Sequence, residues 1–119
     1  MARLGLRPDL IVTSPLVRAF QTAEIAAQEL GLLDRVVVDE RLASGFGLPD
    51  LSSILGENGG LSSIMLVGHE PDFSMAIGAL IGGGDVVCKK GGLARVDADK
   101  ISPGSGVLAW LLPPSVLAL

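Results

Sequence analysis

The sequence contains few aromatic residues, one cysteine and one histidine, and these shortages limit what the protein can be. It has no tyrosine, one tryptophan and three phenylalanines. The single cysteine, Cys88, cannot form an internal disulfide, which is typical of the reducing cytoplasm, and it is most simply interpreted as a small core residue. With one cysteine and one histidine, His69, a zinc site of the Cys₂His₂ type is excluded. We therefore expect a cytoplasmic protein that uses no metal ion and no other cofactor.

Charge and hydropathy argue against two further classes of protein. The formal net charge is −4 and no basic cluster is present, so we expect no nucleic-acid partner. The longest apolar stretches, residues 75–81 and 107–112, are far shorter than the ~20 residues of a membrane-spanning helix, so we expect no membrane insertion. The mean hydropathy of +0.56 is nevertheless high for a soluble domain. This value indicates apolar surface that something outside this chain covers.

What is present fits one small α/β domain covering residues 1–119. Apolar residues make up 49% of the chain, enough for a core, and sixteen glycines favour tight turns. Three apolar runs are predicted as strands of a parallel sheet, with the valine-rich second strand buried: Asp9–Val12, Arg35–Val38 and Ser63–Val67. Helices are predicted between and after them: Pro15–Leu30, Pro49–Leu55 and one from Pro71 to Leu80 or Ile81. Short connections predict antiparallel strands in the last third: Asp85–Cys88, Gly92–Val96 and Gly106–Leu112.

The turn after the first strand looks suited to a phosphate group. Thr13 or Ser14 can cap the helix that follows, Pro15 suits its first position, and Arg18 lies one turn in. Backbone N–H groups and the positive end of the helix dipole attract anions there. His69 follows the third strand in a similar turn, and the carboxyl ends of parallel strands share one edge of the sheet. Ser14, Arg18 and His69 are therefore predicted to converge.

Each of these residues also has an ordinary interpretation. Ser14 can serve only as a helix cap, and Arg18 can be an exposed helix residue. His69 can be a turn histidine that bonds the backbone, and Glu40 can be a solvated loop acid. Taken singly, none of them identifies a site.

Two segments of the sequence have recognisable motifs: residues 13–23 are Thr-Ser-Pro-Leu-Val-Arg-Ala-Phe-Gln-Thr-Ala, and residues 67–71 are Val-Gly-His-Glu-Pro. They resemble the histidine phosphatase superfamily, and within it the bacterial phosphohistidine phosphatases of the SixA group. Residues 13–23 are similar to the Ser-Pro-x-x-Arg-Ala-x-x-Thr-Ala segment of that superfamily. Residues 67–71, Val-Gly-His-Glu-Pro, are similar to the segment of its second histidine, and residues 89–96 and 106–113 resemble its tail. The resemblance implies a three-layer α/β/α fold like that of phosphoglycerate mutase, mostly parallel with an antiparallel C-terminal part.

The resemblance also implies roles for the site residues. Arg18 would bind the equatorial phosphate oxygens, His69 would donate to another oxygen, and Ser14 would orient Arg18 or contact the phosphate. Glu40 lies near the position where some branches of the superfamily place a general acid, although the local match is weak. Because imidazole leaves phosphohistidine without a strong acid, an unclear acid fits that substrate. The implied substrate is a phosphorylated protein, such as a histidine phosphotransfer domain, or a small phosphorylated molecule.

The superfamily's nucleophile is a histidine in an Arg-His-Gly or Arg-His-Ala motif, and this sequence has no Arg-His pair. The resemblance therefore implies that a first strand with this motif is missing before Met1 and that the chain is N-terminally truncated. An unpaired sheet edge would then favour self-association. The alternative is a non-catalytic protein that binds phosphate or a phosphoprotein.

Overall fold

The central feature of the fold is a three-stranded parallel sheet. In a computed structural model, residues 5, 7–43, 45–87 and 93–112 are described. The sheet has the order β2-β1-β3, with bounds β1 Leu10–Thr13, β2 Val36–Val38 and β3 Ile64–Val67. Three α-helices accompany it: α1 Val17–Leu30, α2 Leu48–Glu57 and α3 Asp72–Leu80. Among the described residues, no helix combines the length and apolar character needed to cross a bilayer.

Helices cover both faces of this sheet, so the predicted three-layer arrangement is confirmed. Ile11 is fully buried against Ala23 and Ala27 of α1. Its neighbour Val12 points to the opposite face, because side chains alternate along a strand. There it joins the larger core, formed with residues of α2, α3 and the segment between β2 and α2: Leu42, Phe46, Leu51, Ile54 and Ala76. The core therefore lies mainly on the α2 and α3 side.

A separate antiparallel pair forms the C-terminal part, as predicted. Strands β4 (Leu93–Ala98) and β5 (Gly106–Leu112) pair from Leu93 with Leu112 to Ala98 with Gly106. Gly106 allows a close approach here, because a Cβ atom at this position would lie 2.9 Å from Val96 Cγ1 and 3.3 Å from Leu80 Cβ of α3. The absence of a side chain at Gly106 thus lets the pair pack against α3.

Two strand predictions are wrong. The second strand was predicted to be buried, yet Val37 and Val38 are 45% and 51% exposed, because β2 pairs on one side only within the described residues and lies at the sheet edge. Residues 85–87 of the predicted strand Asp85–Cys88 are not in a strand. They follow three glycines with positive φ, from 82 to 84, whose backbone conformation does not lead into an extended ladder. Cys88 itself lies outside the described residues.

An ion network holds the end of β2 to the end of α2. The Arg41 guanidinium donates to Asp39 at 2.6 and 2.9 Å and to Glu57 at 2.8 and 2.9 Å. The Asp39 carboxylate also accepts the backbone N–H of Arg41 at 2.9 Å. The hydrogen bonds from Arg41 lower the pKa of Asp39 and of Glu57, and those two carboxylates raise the pKa of Arg41.

Replacing Arg41 by methionine is expected to lower the melting temperature near neutral pH and to have little effect in acid. The carboxyl pKa values are lower in the folded than in the unfolded chain. The stabilisation is therefore present above the ordinary carboxyl pKa of about 4 and is lost as the pH falls through the folded values. Thermal unfolding followed by circular dichroism across this pH range measures the effect. Arg95→Met is the matched control, because the Arg95–Asp97 pair is more than half exposed on both sides. A difference between wild type and Arg41→Met that stays constant into strong acid would contradict this account.

Candidate functional site

The turn between β1 and α1 is built around the buried hydroxyl of Ser14. Ser14 is fully buried, its Oγ accepts the N–H of Leu16 at 3.2 Å, and the hydroxyl of Thr13 donates to the Ser14 carbonyl at 3.0 Å. The prediction that Ser14 or Thr13 caps a helix starting at Pro15 is wrong. The helix begins at Val17, and its N-cap residue is Leu16, with no side-chain cap. The Ser14 hydroxyl lies too early in the chain to reach the first helical turn. Leu16 precedes the first helical residue and is 48% exposed, so it is not part of the buried face of α1.

This turn is joined directly to the turn that follows β3. The Ser14 N–H donates to the Val67 carbonyl at 2.9 Å, and Ser14 Oγ lies 2.9 Å from His69 Nε2. The structure thus brings together two predicted site residues that are 55 positions apart. The ordinary interpretation of His69, as a turn histidine whose ring bonds the backbone, does not hold, because its ring bonds the Ser14 side chain.

Arg18 lies at the exposed start of α1. Its guanidinium forms no hydrogen bond or ion pair with any described residue, and only its carbonyl is engaged, by the Thr22 hydroxyl at 2.9 Å. The first turn of α1 contains no acidic residue and no side-chain cap. Backbone N–H groups at the start of a helix have no intrahelical partner, so this end offers several donors and a cation to an anion. Ser14 bonds His69 rather than Arg18, contrary to one of its two predicted roles.

Glu40 is not brought to this site by any bond. It begins the short 3-10 turn Glu40–Leu42 after β2 and is exposed. Within the described part of the chain its carboxylate bonds neither Ser14 nor Arg18 nor His69. Its role as an acid stays a prediction without structural support.

Two polar contacts near His69 could not be predicted from the sequence. The Asp72 carboxylate accepts the Gly45 N–H at 2.9 Å and joins the loop before α2 to the start of α3. The Ser74 hydroxyl donates to the Glu70 carboxylate beside His69. An acidic residue in a first helical turn was the sole signal for Asp72, since its partner is 27 positions away. The described residues contain no group of three or more side chains arranged to hold a metal ion.

Comparison with known proteins finds similarity to a sequence family over part of the chain and to solved structures over nearly all of it. Residues 2–47 match the sequence profile of the histidine phosphatase superfamily, branch 1. A solved structure of the protein histidine phosphatase SixA complexed with tungstate superposes with a TM-score of 0.83 at 24% identity. The chain has the fold of SixA. The superposition covers 98% of this chain and 75% of that protein.

A second solved structure gives the same result. It is assigned as the phosphohistidine phosphatase SixA from Agrobacterium tumefaciens, with a TM-score of 0.73 and 24% identity over 95% of this chain and 72% of that one. No curated protein matches the sequence. The profile match and the two superpositions together confirm the predicted resemblance to the superfamily and its SixA-like fold.

Proposed function

We propose that this chain carries the phosphate-binding half of a phosphohistidine phosphatase. The observation that supports this most strongly is the direct contact of Ser14 with His69. Arg18 lies in the first turn of the helix that follows Ser14, and its guanidinium has no hydrogen-bond or ion-pair partner among the described residues. A phosphoryl group at this edge would take donors from Arg18, from His69 and from the first turn of α1. Together they would neutralise the charge that develops on the equatorial oxygens during transfer.

The proposed reaction transfers phosphate from a phosphohistidine to an enzyme histidine and then to water. In the first step an unprotonated nitrogen of the enzyme histidine forms a P–N bond as the P–N bond of the substrate breaks, and the substrate imidazole takes up a proton from water and leaves neutral. In the second step water cleaves the enzyme P–N bond and releases inorganic phosphate. Imidazole leaves more readily than an alkoxide, which agrees with the finding that, among the described residues, no hydrogen bond joins the Glu40 carboxylate to Ser14, Arg18 or His69. The names of the structural neighbours, both SixA proteins, support phosphohistidine as the substrate class.

The nucleophile is proposed to belong to a strand that is not among these 119 residues. His69 is the sole histidine of the chain, and its Nε2 is engaged by Ser14. Strand β3 pairs with β1 on one side, and its other edge is unpaired within the described ranges, while its four residues are half buried. A parallel strand added at that edge would end beside His69. The same edge could instead pair with a second copy of the chain, the self-association predicted above, and light scattering distinguishes these states.

The test of the proposal is binding of a tetrahedral oxyanion. We expect the chain to bind inorganic phosphate or tungstate, the ion bound in one of the similar structures. Arg18→Ala should weaken that binding about tenfold or more, because a hydrogen bond to a charged group contributes about 1.5–3 kcal/mol. Isothermal titration calorimetry measures the affinity.

Arg35→Ala is the matched control for that experiment. This substitution removes the same charge at the amino ends of the strands, away from Ser14. Arg35 is exposed there and donates to the carbonyl of Asp9, the residue before β1, at 3.2 Å. Equal losses in Arg18→Ala and Arg35→Ala would mean that net charge alone attracts the anion, and the proposed site would be rejected. Binding that depends on Arg18, with no turnover even when a strand bearing an Arg-His-Gly motif is supplied, would favour the non-catalytic phosphate-binding protein.

A further inference from the structure

The hydrogen bonds of Ser14 determine which nitrogen of the neighbouring imidazole carries the proton. Ser14 Oγ has two partners among the described residues, the Leu16 N–H at 3.2 Å and His69 Nε2 at 2.9 Å. The first is a donor, so Ser14 Oγ accepts from it. The hydroxyl proton then needs an acceptor, because Ser14 is fully buried and cannot reach water. Within the described part of the chain, the acceptor in reach is the lone pair of His69 Nε2.

We infer that Ser14 is a positioning residue that holds neutral His69 as its Nδ1–H tautomer. With Nε2 accepting from Ser14, the ring proton must lie on Nδ1, on the other side of the imidazole. The Nδ1 atom has no hydrogen-bond partner among the described residues, and His69 is half buried and therefore partly accessible. Its N–H is thus available to an anion oxygen without a positive charge on the ring. This inference deepens the function proposed above and rests on it for the identity of the anion.

The burial of Ser14 fits this positioning role. A hydroxyl that merely capped a helix would lie at the helix start and could be exposed. Ser14 is instead fixed from two sides, by its own N–H on the Val67 carbonyl at 2.9 Å and by the Leu16 N–H on its oxygen. Both anchors are backbone groups, so the position of the hydroxyl depends on the join between β1 and β3 and not on a mobile side chain. The imidazole is therefore oriented by the sheet itself.

The tautomer can be measured directly because His69 is the one histidine in the sequence. We expect long-range ¹H–¹⁵N correlation spectra of the labelled 119-residue chain, in mildly alkaline solution, to show a protonated Nδ1 and an unprotonated Nε2. In Ser14→Ala the two nitrogen resonances should move towards each other as the tautomers interconvert. Ser14→Thr, which keeps the hydroxyl, should restore the separation. Added inorganic phosphate should shift Nδ1 more than Nε2, and Ser14→Ala should bind phosphate about 2- to 10-fold more weakly, since one hydrogen bond contributes about 0.5–1.5 kcal/mol.

Thr13→Val is the control for the loss of a buried hydroxyl beside the site. Thr13 is also fully buried, and its hydroxyl bonds the Ser14 carbonyl but not the imidazole, so the ring nitrogens of His69 should keep their wild-type resonances. A protonated Nε2 in the wild-type chain would overturn the inference, even if no Ser14 variant folds. An unchanged tautomer in folded Ser14→Ala would overturn it as well. The tautomer is read without phosphate, so a chain that shows it but binds no phosphate would reject the proposed function and leave this inference standing.

Discussion

Replacing Leu42 by alanine is expected to lower the free energy of unfolding by about 2–5 kcal/mol. Leu42 is completely buried, although it lies in a 3-10 turn of three residues and not in a helix or strand. It packs in the cluster that contains Val12 of the sheet and Ile54 of α2. Removing its side chain beyond Cβ leaves a cavity between the sheet and α2. Regular secondary structure holds both of these elements in place, so the cavity cannot close freely. The free energy of unfolding of a small domain is about 5–15 kcal/mol, so this one substitution removes a large part of the stability.

Leu33→Ala is the matched control for the Leu42 variant. Leu33 also lies in a three-residue 3-10 turn, Leu33–Arg35, but its side chain is 56% exposed. Its truncation should change the free energy of unfolding by no more than about 0.5 kcal/mol. Urea unfolding followed by far-ultraviolet circular dichroism measures both variants. If Leu42→Ala and Leu33→Ala lowered the free energy of unfolding equally, the segment between β2 and α2 would not be part of the core.

The parallel sheet could be predicted from the sequence because its signals are local. A short apolar run, of three residues at β1 and four at β3, is followed in both places by a polar turn and a helical period, and both predictions hold to within one residue. The faces of these strands follow from alternation alone. The exposure of β2 could not be predicted in this way. Val37 and Val38 read as a buried strand, and they are exposed because the strand order places β2 at an edge, which is a property of the whole fold.

The sequence predicts which residues form the candidate site but not which of them bond to each other. Convergence of Ser14 and His69 follows from the rule that parallel strands end at one edge, and the structure places them in contact. The partner of the Ser14 hydroxyl does not follow from that rule. A serine before a helix is ordinarily a cap, and only a neighbour 55 positions away shows that this hydroxyl serves an imidazole instead. The contact of Asp72 with Gly45 and the ion network of Arg41 with Glu57 could not be predicted either, because their partners are also distant in the sequence.

The purified 119-residue chain is expected to release no phosphate from a phosphohistidine protein above the background of its His69→Ala variant. Phosphotransfer to an enzyme requires a nucleophile with a free lone pair. The one imidazole of the chain has its Nε2 bonded to Ser14, and the inferred tautomer puts a proton on Nδ1, so neither nitrogen is available. Release of inorganic phosphate, measured by a colorimetric assay beside an active phosphohistidine phosphatase, tests this. Turnover by the wild-type chain that disappears in His69→Ala would make His69 the nucleophile and would contradict both the assignment of its role and the tautomer.

Restoring the nucleophile is the complementary arm of that experiment. A strand that ends in Arg-His-Gly, joined ahead of residue 1 by a flexible linker, should pair with the edge of β3 that has no partner strand among the described residues and bring a second histidine beside His69. We expect phosphate release to appear in this fusion and to be lost again when its added histidine is replaced by alanine. Arg18→Ala in the same fusion should also abolish release, whereas Arg35→Ala should not, because Arg18 follows the carboxyl end of β1 and Arg35 precedes the amino end of β2. Release that survives Arg18→Ala would mean that the start of α1 does not bind the transferred phosphate. Since the added strand supplies the nucleophile and this chain supplies the anion donors, the two losses separate the two halves of the chemistry.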